Sequence, residues 1–188
     1  MPGGTLITYL TGDATDPQAN GPKIIAHVCN DVGKWGRGFV VAVSRRWPEP
    51  ERWYRKWAYH GADTVVHDDT ATTLEIPFEL GRVIYVPVKF HGSMAPEVFV
   101  ANMIAQHDVI AHDGVPPIRY DALESCLRDV AAMAHKLGAS VHMPRIGCGL
   151  AGGKWNDVEE VIGRSMPDAH VYVYDYYNGG KEIVPWQR

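Results

Sequence analysis

The chain has 188 residues, of which 46% are apolar and 21% are charged, and its formal net charge is −4. This length suits one domain with a substantial core and is too short for two. Because no cluster of Lys and Arg stands out, we do not expect a large duplex-binding surface, whereas a small anionic ligand remains compatible with the sequence.

The cysteines and histidines give no sign of a disulfide framework, a metal site or a cofactor. Three cysteines at wide spacing do not form a disulfide or zinc pattern. Five of the histidines also lack the spacing of metal ligands: His67, His91, His107, His112 and His142. The amino terminus lacks a signal-peptide pattern, and no apolar run approaches the ~20 residues of a membrane span. We therefore expect a cytoplasmic protein without metal or cofactor, and a monomer.

Short apolar segments alternate with longer helical patterns along the chain. Six segments rich in β-branched and aromatic residues predict strands: Leu6–Leu10, Lys23–Cys29, Val83–Val88, Val98–Met103, Ser140–Met143 and His170–Tyr174. Four segments predict helices: Phe39–Trp47, Pro50–Tyr59, Arg119–Leu137 and Asn156–Ser165. His91–Pro96 and His112–Pro117 are predicted to be loops. This alternation indicates one α/β domain over residues 1–177, followed by a polar tail over residues 178–188.

The first glycine loop (residues 30–38, NDVGKWGRG) joins a predicted strand to a predicted helix. Gly33, Gly36 and Gly38 allow a tight turn and a close approach of the backbone to a ligand. Free N–H groups at a helix amino end favour phosphate. Glycines alone are equally consistent with an ordinary turn, and neither the dinucleotide fingerprint nor the P-loop pattern is present.

The second glycine loop (residues 144–155, PRIGCGLAGGKW) repeats this strand-to-helix arrangement. Ligands of open α/β sheets collect beyond the carboxyl ends of the strands, where two such loops can close on one pyrophosphate. The two loops together predict a diphosphate ligand.

Three motifs in order resemble the successive signatures of the macrodomain family. They are GDAT (residues 12–15), AHVCNDVGKWGRG (residues 26–38) and MPRIGCGLAGGKW (residues 143–155). The resemblance implies a three-layer α/β/α sandwich with a mixed central sheet. It also implies binding of ADP-ribose or a derivative, with ADP-ribosylated protein or nucleic acid as a further partner. Residues 27–48 are especially similar to the phosphatases of ADP-ribose-1''-phosphate, and PRIGCGL is similar to the ADP-ribosyl glycohydrolases.

The resemblance places the adenine at the ends of the first and last predicted strands. Asp13 would accept a hydrogen bond from the adenine amino group, with the Ala14 amide nearby, although an aspartate here also suits a turn or helix cap. Tyr174 would stack on the adenine ring. Tyr176 is the alternative stacking residue, and packing within the sheet is the alternative role for both tyrosines.

The resemblance assigns the phosphates to the two glycine loops. The implied binding residues are Gly36, Arg37, Gly38, Phe39, Ile146, Gly147, Cys148, Gly149 and Leu150. Because no base is evident beside Cys148, its side chain is interpreted as packing rather than as a nucleophile. Arg145 either screens the pyrophosphate or pairs with a carboxylate.

The candidates for catalysis are His27, Asn30 and Asp31. The resemblance puts His27 and Asn30 beside the distal ribose, while a buried core histidine is the default interpretation of His27. Asp31 either orients an attacking water or caps the loop.

The glycohydrolases use a lysine at a strand end and an aspartate after the second loop. Here Ala151 occupies the aspartate position, and the lysine position falls on Lys89 or on Ala105 and Gln106, depending on the strand chosen. The sequence therefore favours hydrolysis of an ADP-ribose derivative by a positioned water. A non-catalytic ADP-ribose reader and a general nucleotide-binding domain are the alternatives.

Overall fold

The computed structural model describes residues 5–60, 65–67, 73–91 and 95–176. Within these ranges the elements follow in the order β1 (Leu6–Thr11), β2 (Lys23–Asn30), α1 (Phe39–Arg46), α2 (Glu49–His60), β3 (Val65–His67), β4 (Thr73–Glu75), β5 (Val83–His91), β6 (Ala95–Gln106), α3 (Tyr120–Leu137), β7 (Ser140–Pro144), α4 (Trp155–Ser165) and β8 (His170–Asp175).

Six strands form one mixed sheet in the order β1-β8-β7-β2-β6-β5. The first five strands in this order, β1, β8, β7, β2 and β6, are parallel to one another, and β5 pairs antiparallel with β6 at the edge of the sheet. The carboxyl ends of the parallel strands therefore meet along one edge of the sheet, which is where a ligand site is expected.

Helices cover both faces of the sheet and make three layers. Ile24 and Ala26 of β2 pack into the cluster that holds α3 and α4, whereas Ile25 packs into the cluster that holds α1 and α2. Successive strand residues point to opposite faces, so a strand buried on both sides is apolar nearly throughout. The predicted α/β/α fold with a mixed sheet is confirmed.

The sequence of helix α3 determines both its buried face and the residue at which it ends. Its buried residues recur at helical spacing: Ala122, Leu123, Cys126, Leu127, Val130 and Ala134. Gly138 ends the helix in the left-handed region at φ 61, and its N–H bonds to the carbonyls of Ala134 and His135. Glycine adopts this conformation without the strain a Cβ would bring, which fixes where α3 stops.

The six predicted strands and four predicted helices are confirmed, with ends that differ by a few residues. The predicted loop His91–Pro96 is wrong at both ends, because β5 runs through His91 and β6 begins at Ala95; residues 92–94 lie outside the described residues. Lys89 and Glu97 are charged, yet they lie inside this ladder as an ion pair of 3.4 Å, so the apolar pattern stops before the pairing does.

Two further segments bear on the predictions. The predicted loop His112–Pro117 is confirmed, apart from one isolated bridge between His112 and Val115. The small β3–β4 pair was not predicted, since each strand has only three residues. The predicted tail over residues 178–188 lies outside the described residues. None of the helices described is both long and apolar enough to cross a membrane.

Candidate functional site

A cleft of about 500 Å³ opens beyond the carboxyl ends of β2, β6 and β7. Asn30, Gln106 and Pro144, the last residues of these strands, form part of its lining. The two glycine loops face each other across it, since a Cβ built on Gly38 would lie 3.6 Å from Cδ1 of Leu150.

The first glycine loop is held from below by the side chain of Asn30. Its Oδ1 accepts hydrogen bonds from the N–H groups of Val32 (3.2 Å) and Lys34 (3.0 Å) and from the Tyr54 hydroxyl (3.0 Å). Its Nδ2 donates to the Lys34 carbonyl. From α2, Arg55 donates to the Trp35 carbonyl at 2.9 Å. These hydrogen bonds hold the loop in place, and contact between Asn30 and a ribose stays a prediction.

The amino end of α1 opens from this loop with no side-chain cap. Gly38 precedes the helix at φ 79, and the first turn contains no acidic residue. The first N–H groups of a helix have no partner within the helix, and they carry partial positive charge. This helix end therefore suits an anion.

The second glycine loop is closed by contacts that leave no room for larger residues. The Gly153 N–H donates to the Gly147 carbonyl at 2.8 Å, and Gly147 has φ 72. A Cβ on Gly153 would lie 2.6 Å from that same carbonyl oxygen. The Tyr120 hydroxyl accepts the Lys154 N–H at 3.1 Å, which ties the loop to α3. Only glycine allows the backbone to fold so tightly at residue 153.

The cleft concentrates positive charge in a chain whose net charge is −4. Four of its described lining residues are cations, namely Lys34, Arg37, Arg55 and Arg145, and no described lining residue is Asp or Glu. Opposite charges at close range in a partly enclosed site attract more strongly than in open water. Two of these cations are already paired with carboxylates outside this lining, Arg55 with Glu51 at 2.9 Å and Arg145 with Asp175 at 2.6 Å. Lys34 and Arg37 therefore contribute most of the positive charge that the cleft offers to an anion.

Arg145 is fixed at the edge of the cleft by an ion pair and two aromatic rings. Its guanidinium donates to both carboxylate oxygens of Asp175, at 2.6 and 2.7 Å, and lies 5.2 and 5.0 Å from the ring centroids of Tyr9 and Trp155. The hydrogen bonds from Arg145 lower the pKa of Asp175. Of the two roles considered for Arg145, the pairing with a carboxylate is present, and the residue also lines the cleft.

His27 lies at the floor of the cleft and is only 1% exposed. Its ring packs edge-on to Trp35 at 5.4 Å, and Nε2 donates to Oδ1 of Asn102 at 2.6 Å. Burial lowers its pKa to about 4, so the imidazole is neutral near pH 7. These are the features of a core histidine, and its predicted catalytic role stays untested.

Asp31 lies beside the cleft and is paired with His107, which follows β6, the neighbour of β2 in the sheet. Its Oδ2 is 2.7 Å from Nδ1 of His107, and its Oδ1 accepts the N–H of Asp108 at 2.8 Å. The pair follows from the sheet register, because Asn30 and Gln106 are partners at the ends of β2 and β6. A second pair of the same type, Asp108 with His112 at 2.8 Å, lies on the same loop.

The residues predicted to hold adenine lie together but outside the described lining of the cleft. Asp13 Oδ1 accepts hydrogen bonds from the N–H and hydroxyl of Thr15, both at 2.8 Å, which is a turn-capping arrangement. Ala14 is buried in the cluster around α1 and α2, and Tyr174 in the same cluster is 7% exposed. The Tyr174 hydroxyl is 2.9 Å from Nδ1 of His142, whereas Tyr176 is exposed. The adenine contacts stay predictions.

The remaining predicted binding residues divide between the cleft and the core. Those that line the cleft are Gly36, Arg37, Gly38, Phe39, Ile146, Gly147, Gly149 and Leu150. Cys148 does not appear in that lining and packs against the cluster around α3 and α4. Burial raises the pKa of its thiol to about 11, which opposes a nucleophilic role.

The glycohydrolase residues considered in the sequence are not assembled here. Ala151 lines the cleft. Lys89 does not line the cleft. Because β5 runs antiparallel to β6, Lys89 pairs with Val98 near the beginning of β6, whereas the cleft lies at the end of β6. The suggested match of Lys89 to a catalytic lysine is therefore corrected. Among the residues described, no group of three or more His, Cys, Asp or Glu side chains is placed to hold a metal.

Comparison with known proteins decides the family. The family model described as "Macro domain" matches residues 99–162. The solved macrodomain protein from Streptomyces coelicolor is 46% identical, with 91% of this chain and 99% of that chain covered at a TM-score of 0.70. This chain belongs to the macrodomain family.

Two curated relatives differ in how much of their own length the match covers. The mouse chromodomain-helicase-DNA-binding protein 1-like is 31% identical over 92% of this chain, yet the match spans only 18% of that protein's length. An ADP-ribose 1''-phosphate phosphatase from Meyerozyma guilliermondii is 22% identical, over 89% of this chain and 98% of the relative.

Several lining residues of the macrodomain were not predicted from sequence. Arg55 comes from α2, and Gln106, Val109 and Ile110 come from the exit of β6. No glycine pattern marks these segments. The exit of β6 could have been found from its place beside β2, since the end of each parallel strand borders the same edge.

Proposed function

We propose that this macrodomain binds ADP-ribose and hydrolyses a derivative of it, either ADP-ribose-1''-phosphate or an ADP-ribosyl adduct. The observation that carries the proposal is the cleft between the glycine loops, with four cations and no carboxylate in its described lining. A pyrophosphate fits this charge, the amino end of α1 and the backbone of the glycine loops.

The orientation proposed for the ligand rests on the family resemblance of the residues at and beside the cleft. We assign the pyrophosphate to Gly36–Phe39 and Ile146–Leu150, and the adenine to the side of Asp13, Ala14 and Tyr174. The distal ribose then reaches the floor at His27 and Asn30. The relative named as an ADP-ribose 1''-phosphate phosphatase supports this choice of ligand class.

Calorimetry with ADP-ribose, AMP and NAD tests the binding half of the proposal. We expect ADP-ribose to bind most tightly, because only it presents both the pyrophosphate and a free distal ribose. Equal affinities for all three would contradict the proposal and leave a general nucleotide-binding domain.

Incubation with ADP-ribose-1''-phosphate, ADP-ribosylated protein and ADP-ribosylated DNA tests the catalytic half. We expect free ADP-ribose as a product from at least one of them. With Asp31→Ala we expect turnover to be lost while ADP-ribose still binds. The cytoplasmic location and monomeric state expected from the sequence stay predictions.

A non-catalytic reader of ADP-ribose is the second candidate. It is favoured by Ala151, which cannot exchange a proton, and by the position of Lys89 away from the cleft. Tight binding of ADP-ribose with no product at high protein concentration would identify the reader.

A further inference from the structure

We propose that His107, held by Asp31, is the general base for the hydrolytic water. This inference rests on the proposed hydrolysis and names the residue that would carry it. It arises from the contact between two residues that follow neighbouring parallel strands, Asp31 after β2 and His107 after β6.

The geometry determines which nitrogen of His107 is available. An ionised carboxylate only accepts hydrogen bonds, so Nδ1, at 2.7 Å from Asp31, must carry the proton. A neutral ring then has its lone pair on Nε2, which is the form a general base requires. Asp31 fixes this tautomer and the ring orientation, as the aspartate of a Ser-His-Asp triad does. Asp31 is thus a positioning residue.

The location of the pair suits the end of the substrate that reacts. Asn30 and Gln106 line the cleft immediately before Asp31 and His107, and Val109 and Ile110 line it just beyond. His107 does not line the cleft itself, but its side chain is 47% exposed, so its ring is accessible to water and to a substrate that extends over this rim. By contrast, His27 is buried and already bonded to Asn102.

The step balances without a further reactant. Nε2 of His107 takes one proton from water, and the water oxygen bonds to the electrophilic atom at the distal end of the substrate. The bond from that atom to the leaving group breaks, and the leaving group departs with the bonding electrons. The proton then passes from Nε2 to the leaving group, which restores the neutral ring.

The charged and titratable groups around His107 come from two segments. Asp31 and Lys34 belong to the first glycine loop, and Asp108 and His112 belong to the loop that holds His107 itself. The rings of His107 and His112 are 5.9 Å apart. His112 is therefore a matched control, because it is equally exposed and equally paired with a carboxylate.

The test compares turnover in His107→Gln, His107→Ala, Asp31→Asn and His112→Gln, using ADP-ribose-1''-phosphate and an ADP-ribosylated protein. Loss of a general base lowers the rate by roughly 10²-fold or more, so we expect a decrease of this size in His107→Gln. Asp31→Asn should also lower the rate, because the ring of His107 is then no longer held in the required tautomer. His112→Gln should keep wild-type turnover. All variants should keep their affinity for ADP-ribose.

Two further readouts separate a base from a structural residue. Added imidazole should restore part of the turnover of His107→Ala, and the fall in rate at acid pH should disappear in His107→Gln. Wild-type turnover in His107→Gln, or no rescue and an unchanged pH profile, would overturn the assignment. If His107→Gln keeps its turnover, the role of His107 is refuted but the proposed hydrolysis stands. If the wild-type protein binds ADP-ribose tightly but turns over none of the substrates, both the general base and the hydrolysis are refuted.

Discussion

Two buried histidines should make the macrodomain less stable as the pH falls from about 7 towards 4. His27 is enclosed by Trp35 and Phe39, and burial lowers its pKa from 6.5 to about 4. The ring of His142 stacks on that of Tyr172, with 4.8 Å between the ring centroids. Its pKa is lowered to about 4, mainly by burial and to a smaller extent by the nearby charge of Lys23. Both side chains are neutral in the folded protein near pH 7.

The sign and size of the effect follow from proton binding. Between the pKa of the unfolded chain, 6.5, and the folded value of about 4, each histidine binds a proton only when the chain unfolds. The free energy of unfolding is therefore highest above pH 6.5 and decreases as the pH falls through this window. At 1.36 kcal/mol per pKa unit, each histidine accounts for about 3 kcal/mol, a large part of a typical stability of about 5–15 kcal/mol.

The described carboxylates whose pKa is lowered act mainly below this window. Asp108, Glu97, Glu124 and Asp175 have lowered pKa values because of their partners, so their stabilisation is lost mainly as the pH falls below the unfolded values of 4.5 and 3.8. The decrease between pH 6.5 and about 4.5 can thus be assigned to histidine.

Urea unfolding followed by tryptophan fluorescence, from about pH 7.5 to about pH 4.5, measures the effect. His27→Gln and His142→Gln should each be less stable at neutral pH, yet each should lose roughly half of the wild-type dependence on pH. The exposed control His112→Gln should keep the full dependence. If the wild type and all three variants decrease in parallel, the buried histidines are not the cause.

Three further changes test the cleft and its supports. Gly153→Ala should weaken ADP-ribose binding, measured by calorimetry, by roughly tenfold or more, because its Cβ would lie 2.6 Å from the Gly147 carbonyl oxygen. Gly163→Ala on α4 is the control and should bind normally, because no atom lies within 4 Å of the added Cβ. Asp175→Asn should weaken binding severalfold by loosening Arg145, and unchanged affinity with an intact circular dichroism spectrum would argue against that role. Cys148, with its pKa raised to about 11, should react with iodoacetamide near pH 7 roughly tenfold or more slowly than an unhindered cysteine, and fast labelling would reveal a thiolate.

The sequence predicted the layers of the fold because their causes are local. Strands such as β2 are buried on both faces and are therefore apolar almost throughout, and α3 ends at a glycine that adopts a left-handed conformation. Both glycine loops could be recognised for the same reason, since each follows a strand and precedes a helix.

The pairings within the site could not be predicted, because they depend on strand register. Asp31 and His107 are 76 residues apart, and only the alignment of β2 with β6 brings them together. Arg145 could not be assigned to a carboxylate without knowing that β7 and β8 are neighbours, which places Asp175 beside it. The direction of β5, which removes Lys89 from the cleft, is also a property of the whole sheet.

The charge pattern of the cleft also bears on how fast a ligand is captured. The chain as a whole repels anions, with a net charge of −4, while the cleft presents Lys34, Arg37, Arg55 and Arg145 at one edge of the sheet. Such a field draws an approaching diphosphate towards the cleft and raises its association rate. The same attraction admits other polyanions, so inorganic pyrophosphate or a nucleic-acid backbone should compete at the encounter stage even where it cannot occupy the bound state.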